Sequence, residues 1–560
     1  MVGQKKWKID IKWIVILAIV AFLLIFEVFP LFYLLIKSLF SGGSFSWEAY
    51  RRVYTYDLNW IALKNTMITA GFTTILGVAI AFPLAFLVGR TDMYGKKFFR
   101  TLFVVTYMVP PYVGAMAWLR LLNPNAGVLN KFLMKIFGLG AAPFNIYTIS
   151  GIVWVLTCFF YPYAFITISR AMEKMDPSLE EASRISGASP LKTLLKVTIP
   201  MMTPSIIAAG LLVFVASASA YGIPSIIGAP GQIYTVTMRI IDFVHIGSEE
   251  GLTDAMTLAV FLMLISNIIL YISTFVVGRK QYITMSGKST RPNIVELGKW
   301  RLPITIIISI FSFFVIILPF ITVAITSFTV NMGKPLTLSN LSLKAWEKVF
   351  SRASIISSTT NSFITATAAA FFGILISCVM AYLLQRTNVK GKRIPDFLIT
   401  LGSGTPSVTI ALALIISMSG KFGINIYNTL TIMVVAYMIK YMLMGMRTVV
   451  SAMSQVHPSL EEAAQISGAN WLRMLKDVTL PLIGASIVAG IFLIFMPSFY
   501  ELTMSTLLYS SNTKTIGYEL YIYQTYHSQQ VASALATAIL LFVILVNYIL
   551  NKLTKGQFSI

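Results

Sequence analysis

The chain has 560 residues, of which 57% are hydrophobic and only 11% charged, whereas soluble domains are usually about a quarter charged. With a mean hydropathy of +0.79, a water-soluble fold would have to expose much of its apolar mass, so that class is excluded. The formal charge of +22 sits in short clusters between apolar runs, not along one stripe, which excludes a nucleic-acid-binding face.

Apolar runs near 20 residues are long enough to cross roughly 30 Å of hydrocarbon as helices. Met1 to Lys12 carries four lysines and leads into the first run, 13–36. No small-residue cleavage site follows a short apolar core, so this run reads as a retained helix and not a signal peptide. Further spans follow at 65–89, 101–120, 146–168, 201–223 and 254–277. After a polar, basic linker over 279–301 that includes Arg291-Pro292, six more are expected at 303–327, 362–385, 397–419, 428–447, 482–508 and 531–551. The expected fold is an all-α polytopic membrane protein of about 12 transmembrane helices. Its first half covers 1–278 and its second 302–560.

An even number of spans puts both termini on one side, and charge selects which. Twenty-nine of the 43 lysines and arginines fall in the termini and the loops on the N-terminal side, with Lys440 and Arg447 assigned to the inner end of span ten. That excess predicts cytoplasmic termini. The outer loops at 38–60, 228–252 and 328–361 have room for short interfacial helices but not for a binding domain.

The halves repeat one another. Residues 178–187 read SLEEASRISG and 459–468 read SLEEAAQISG, at an offset of 281 that also relates Met172 to Met453, Val197-Thr198 to Val478-Thr479 and Pro200 to Pro481. Upstream, an offset of 296 relates Asn65-Thr66 to Asn361-Ser362, Arg90 to Arg386 and Pro110 to Pro406. Six spans per unit make the repeats parallel, so they can pack about an axis along the membrane normal with a pathway between them.

Each repeated loop reads as a short helix. Pro177 starts the first copy, with Ser178 or Asp176 as a cap; Glu180 and Glu181 suit the positive helix end, and Gly187 provides the stop. Leu191, Leu194 and Leu195 then begin a second amphipathic piece before Pro200 enters the membrane. Pro458, Glu461, Glu462, Ala463, Ile466, Gly468 and Pro481 build the same object again. Solvated loops are where packing restricts sequence least, so strong similarity there points to two equivalent sockets on a dimeric partner.

These residues resemble the inner-membrane permeases of binding-protein-dependent ABC importers. The Glu-Ala-Ala pattern with its later glycine stands here as Glu181-Ala182-Ser183 with Gly187 and as Glu462-Ala463-Ala464 with Gly468; the first copy departs at Ser183. The fused layout, the Leu122–Gly127 loop and the Tyr282-to-Gly287 linker look most like ferric-iron permeases. Related permeases handle 2-aminoethylphosphonate, thiamine, sulfate or polyamines. The resemblance implies the type I importer permease fold, a bacterial cytoplasmic (inner) membrane location, two copies of a cytoplasmic ABC ATPase on the paired loops, and an external or periplasmic substrate-binding protein. It also implies a non-catalytic subunit: ATP and Mg belong to the partner ATPase, and this chain has no phosphate-binding loop ending in Gly-Lys-Ser/Thr. Glu181 and Glu462, with Glu180 and Glu461 beside them, are the expected coupling contacts. The rival mechanism, an ion-coupled secondary transporter, relies on intramembrane coupling groups in place of paired docking loops.

For the pathway, Ser217 and Tyr221, four apart, are expected to share a face of span five, with Ser219 elsewhere. Ser498 and Glu501, near Tyr500 and Thr503, do the same in span eleven, where Glu501 has Ala220 as its counterpart. Small hydroxyl residues also serve plain helix association. Glu27 must face protein, a water-filled cavity or a donor. Pro110-Pro111 and Pro406 are expected to bend their spans. Cys158 and Cys378 read as small buried hydrophobes, and His245, His457 and His527 form no ligand cluster.

Overall fold

A computed structural model describes residues 11–41, 43–175, 178–279, 294–331, 334 and 337–553. The basic start over residues 1–10, Asp176, Pro177, the linker stretches Tyr282–Gly287 and Arg291-Pro292, and the tail from 554 lie outside the described residues. Ten unbroken helices are long and apolar enough to cross a membrane, and two further pairs qualify as broken spans. In the first half these are α1 (Trp13–Ser38), α2 (Asp57–Arg90), the pair α3 (Lys96–Tyr107) and α4 (Pro111–Leu122), and α5 (Ile149–Glu173). The loop helix α6 (Ser178–Ile185) follows, then α7 (Pro190–Ala218), the short outer helix α8 (Val236–Ile246) and α9 (Glu249–Ser273). The second half opens with α10 (Gly298–Thr326), α11 (Ala353–Arg386), the pair α12 (Arg393–Gly404) and α13 (Ser407–Ser417), and α14 (Leu430–Gln455). It closes with α15 (Pro458–Ile466), α16 (Leu475–Phe499), α17 (Thr503–Leu508), α18 (Ile516–Tyr526) and α19 (Gln529–Leu550).

Proline accounts for most departures from straight spans. The pairs α3/α4 and α12/α13 bend by 102° and 108°. Pro110 and Pro406 sit at the bends with ψ of 123° and 140°, extended values that end one helix and launch the next. At four other prolines the helix survives by widening, while Pro83, Pro162, Pro204 and Pro497 sit inside helices without a widened turn. Four π turns, at Leu24–Val28, Leu194–Thr198, Phe313–Ile317 and Leu475–Thr479, each end two residues before a proline: Pro30, Pro200, Pro319 and Pro481. The wider turn absorbs the missing N–H and the ring's clash with the preceding carbonyl. As a result, the amphipathic piece from Leu191 to Leu195 is not separate from span five; α7 runs unbroken from Pro190. Span eleven ends at Phe499, and 503–508 form their own short helix.

Each broken pair completes one crossing. Helices α2 and α5 run parallel: a methyl built on Gly77 would touch Tyr161 at 3.7 Å, and Arg90 donates to the Met172 carbonyl at 2.9 Å. Both helices end on one face, so α3 and α4 together must carry the chain back across. The second half repeats this, with Ser377 near the Met442 carbonyl and Arg386 donating to those of Met453 and Val456. The Val295 amide bonds the Arg90 carbonyl at 2.7 Å, which starts α10 on that same face. Helix α10 crosses and α11 returns, so α6 and α15 lie on one side of the membrane.

The first helix of each half packs on the other half. Ile16, Ile19 and Leu23 of α1 cluster with Met380, Leu398 and Met446, while Phe29 meets Phe422 edge-on at 4.9 Å. Reciprocally, Phe320 and Phe311 of α10 lie against Phe159 and Tyr161 at 6.3 and 6.4 Å. Glu27, inside the π turn of α1, is 1% exposed and rests against Gly402, where any side chain would strike its carboxylate.

Candidate functional site

The two loops are built alike to the level of single hydrogen bonds. Gly187 has φ of +82° and Gly468 +87°, the left-handed region that only glycine enters at little cost. The Gly187 and Ala188 amides close on the carbonyls of Arg184 and Ser183, and those of Gly468 and Ala469 on Gln465 and Ala464. This paired closure satisfies the last carbonyls of a helix and turns the chain. In the second copy His457 occupies the cap position, its Nδ1 accepting from the Ser459 amide at 3.3 Å with Pro458 next.

The structure separates the two glutamates of each copy. Glu180 and Glu461 are 5% and 6% exposed and point back into the bundle. Glu461 pairs with Arg386 at 3.0 Å and accepts from Thr479 at 3.1 Å; Glu180 pairs with Arg90 at 3.5 Å and accepts from Thr198 at 2.7 Å. The arginines also bond the carbonyls that end α5 and α14, so each loop is fastened to three helices. Glu181 and Glu462 face solvent with Ala182 and Ala463, while Ser183 and Ala464 are half-buried; Ser183 bonds Thr193 at 3.0 Å, a contact Ala464 cannot make. Ile185 and Ile466 are 88% and 87% exposed, and Leu191, Leu195 and Trp471 lie bare nearby. On each loop these apolar side chains stand bare beside a carboxylate.

The opposite ends of α2 and α11 carry a second pair of fastenings. Asn65 donates to the Tyr234 carbonyl at 3.0 Å and Thr66 accepts from the Val236 amide at 3.0 Å, at the entry to α8. Asn361 donates to the carbonyls of Asn512 and Lys514, and Ser362 accepts from the Ile516 amide at 2.8 Å, at the entry to α18. These contacts explain the repeat at an offset of 296.

Between the halves, tyrosine side chains make direct contacts. The Tyr112 hydroxyl donates to the Tyr500 carbonyl at 3.0 Å, Tyr107 reaches the Met444 sulfur at 3.4 Å, and Tyr221 and Tyr521 meet hydroxyl to hydroxyl at 3.3 Å. Because α7 ends at Ala218 and α16 at Phe499, the expected helical pairing of Ser217 with Tyr221 and of Ser498 with Glu501 does not form. Ser498 instead bonds its own helix at Ile494, Thr503 opens α17, and the Ser217 and Ser219 hydroxyls have no hydrogen-bond partner among the described residues. Glu501 is buried and accepts from the amides of Met504 and Ser505 at 2.8 and 3.1 Å, capping α17. Its counterpart Ala220 offers only a carbonyl, taken by Thr237 at 2.8 Å.

Lys440 needs correction. Far from the inner end of span ten, it lies eleven residues into the 26-residue α14, and its ammonium bonds the carbonyls of Ser403 and Thr405 at 2.9 and 2.8 Å. Because α12 ends at the Pro406 bend, these terminal carbonyls have no helical donors. Arg447 pairs with Asp396 at 3.0 Å. No cluster of three or more His, Cys, Asp or Glu able to hold a metal ion exists among the described residues.

Residues 81–281 and 373–556 match the family described as Binding-protein-dependent transport system inner membrane component, once in each half. The chain is 25% identical to a ferric transport system permease protein of Actinobacillus pleuropneumoniae over 96% of its own length and 77% of that protein. It is 25% identical to an Fe(3+)-transport system permease protein of Haemophilus influenzae over 93% of its length and 95% of the relative. The maltose/maltodextrin transport system permease protein MalF of Escherichia coli matches only 29% of the chain, at 29% identity.

Proposed function

From the premise that this chain belongs to the binding-protein-dependent transport system inner membrane component family, whose members are non-catalytic membrane subunits, we propose that it forms the translocation pathway of an ATP-driven importer for ferric iron. The halves 1–278 and 302–560 would line one path, with both termini in the cytoplasm of a bacterial cell and α6 and α15 facing inward. Two copies of a cytoplasmic ABC ATPase, carrying the ATP and Mg, would seat on those helices. Glu181 and Glu462 would supply ionic contacts, Ala182, Ala463, Ser183, Ala464 and the bare isoleucines the packing, and Gly187 and Gly468 the turn; buried Glu180 and Glu461 would transmit the push. A binding protein outside would deliver cargo above Tyr221, Tyr500, Glu501, Ser217, Ser219, Ser498 and Thr503.

The observation that carries this reading is the duplicated knob, an exposed Glu–Ile face on a buried Arg–Glu anchor, displayed twice on one side. Closure of an ATPase dimer would draw the two knobs together, and each anchor would pass that movement to α2 or α11 and on to the outer ends. The ferric assignment is supported by relatives named for iron that align along nearly the whole chain, whereas the maltose permease aligns over less than a third.

The test is purification of the tagged chain from gently solubilised membranes, identification of its partners, and uptake of radiolabelled ferric iron by the reconstituted assembly. Recovery of an ATPase and ATP-dependent ferric uptake support the reading. Uptake driven by an ion gradient without any ATPase removes the mechanism; ATP-driven uptake of a phosphonate or polyamine with none of iron removes the cargo.

A further inference from the structure

Arg90 serves two partners at once. Its guanidinium bonds the Met172 carbonyl at 2.9 Å and pairs with Glu180 of α6, while its own carbonyl accepts from the Val295 amide at 2.7 Å. Val295 lies in the stretch that leads from the linker into α10, and that stretch is fastened to the end of α2 several times over. The Asp92 amide donates to the Val295 carbonyl at 3.3 Å, so Thr91 and Val295 form a parallel bridge. The Asp92 carboxylate accepts from the Leu297 amide at 2.9 Å and lies 3.6 Å from the Arg301 guanidinium, which sits over the Tyr94 ring at 3.9 Å. Leu297 itself packs against the main core.

The second half keeps the anchor but not this attachment. Lys96 and Lys392 occupy equivalent places and bond the Thr91 and Thr387 carbonyls alike. At the same offset of 296, however, Asp92 and Tyr94 are replaced by Asn388 and Lys390. Among the described residues no amide from elsewhere in the chain bonds the Arg386 carbonyl as Val295 bonds that of Arg90.

We propose that residues 294–301 are a strap that makes the anchor of the first loop and α10 move as one body, with Asp92 as the positioning residue that holds it. The proposal rests on the importer reading above and gives a push on α6 a route into the second half. Displacement of α6 reaches Arg90 through buried Glu180, and the Arg90 carbonyl is bonded to Val295 three residues before α10 begins. Helix α10 in turn places Phe320 and Phe311 against Phe159 and Tyr161 of α5, whose end Arg90 also bonds. The contacts therefore close a ring through α2, the strap, α10 and α5. The α15 loop has no such ring, so the two loops drive unequal parts of the molecule: the first carries α10 with it and the second does not.

The full chain, assembled with its ATPase and binding protein in nanodiscs and liposomes, tests this by hydrogen exchange at Leu297 and by radiolabelled ferric uptake per ATP hydrolysed. Asp92→Ala should speed exchange at Leu297 by about tenfold, since its amide loses a charged acceptor. Uptake per ATP should fall several-fold while the melting temperature and ATP hydrolysis persist. Asp92→Asn, which keeps an acceptor oxygen, should retain most of both. Val295→Pro, which deletes the amide bonded to Arg90, should uncouple as Asp92→Ala does, and exposed Asn388→Ala in the second half should change neither readout. Leu297 exchange that is released while uptake per ATP stays at the wild-type value overturns the strap's role. Exchange that stays slow in Asp92→Ala removes Asp92 as its holder. A wild-type assembly without ATP-driven ferric uptake brings down the reading on which the proposal rests, and the coupling role with it; Leu297 exchange needs no cargo and separates that failure from a failure of the strap.

Discussion

Arg386 holds Glu461 at 3.0 Å in a place where both side chains are 8% exposed, and the same guanidinium bonds two carbonyls at the end of α14. Arg90 and Glu180 repeat the arrangement at 3.5 Å in the first half. Removing one partner of such a pair strands a buried charge, which typically costs about 3–5 kcal/mol. Arg386→Met should lower the melting temperature and release the α15 loop, and Arg386→Met/Glu461→Leu should recover most of the loss. Thermal unfolding in detergent measures both; a single variant as stable as wild type would show that the anchor holds nothing.

The exposed glutamates behave in the opposite way. Glu181 and Glu462 face solvent, and surface changes such as Glu181→Gln/Glu462→Gln usually stay within about 0.5 kcal/mol. Melting should be unaffected while uptake by the assembled transporter collapses. Normal uptake with both residues replaced would remove these side chains from the coupling contact.

Gly468 at φ +87° has no atom within 4 Å of an added methyl, so only backbone strain opposes a side chain there. Gly468→Ala should cost about 1–2 kcal/mol, and Gly468→Asn less because asparagine tolerates that region. Hydrogen exchange of the α15 amides reads the local effect. Equal protection in all three chains would contradict the turn geometry.

Lys440→Met would leave the Ser403 and Thr405 carbonyls at the α12–α13 bend without their donor. Bonds to a charged group contribute about 1.5–3 kcal/mol each, part of which water entering the break would restore. A fall in melting temperature is expected, with solvent reaching the bend. A Thr405→Cys reporter in a chain lacking Cys158 and Cys378 should react with a small thiol reagent faster when Lys440→Met is added. Unchanged reactivity and stability would mean that the ammonium does not cap the break.

Cysteines placed at 185 and 466 in that cysteine-free background should both be labelled by a membrane-impermeant reagent from the cytoplasmic face. Labelling from opposite faces would contradict the parallel halves.

The spans, the loop repeat and the bends were legible because apolar length, local similarity and proline are properties of the chain read in order. The π turns before Pro30, Pro200, Pro319 and Pro481 were not legible from the prolines alone, since Pro83, Pro162, Pro204 and Pro497 sit inside helices without one. What stayed hidden depends on partners distant in sequence. Nothing local distinguishes Glu180 from Glu181; the difference is that Arg90 and Thr198 surround the former. Lys440 misleads because a lysine near a span's apparent end resembles an interfacial anchor, whereas its partner is a helix break 35 residues away in sequence. The helical pairing expected for Ser217 with Tyr221 fails because α7 stops between them.

The reciprocal seating of α1 and α10 acts as a clasp. Pulling the halves apart would strip each opening helix from a neighbour it does not share a repeat with, exposing Ile16, Leu23, Phe311 and Phe320 at once. A chain severed between 279 and 294 should therefore stay together in the bilayer, and its fragments, made separately, should find each other.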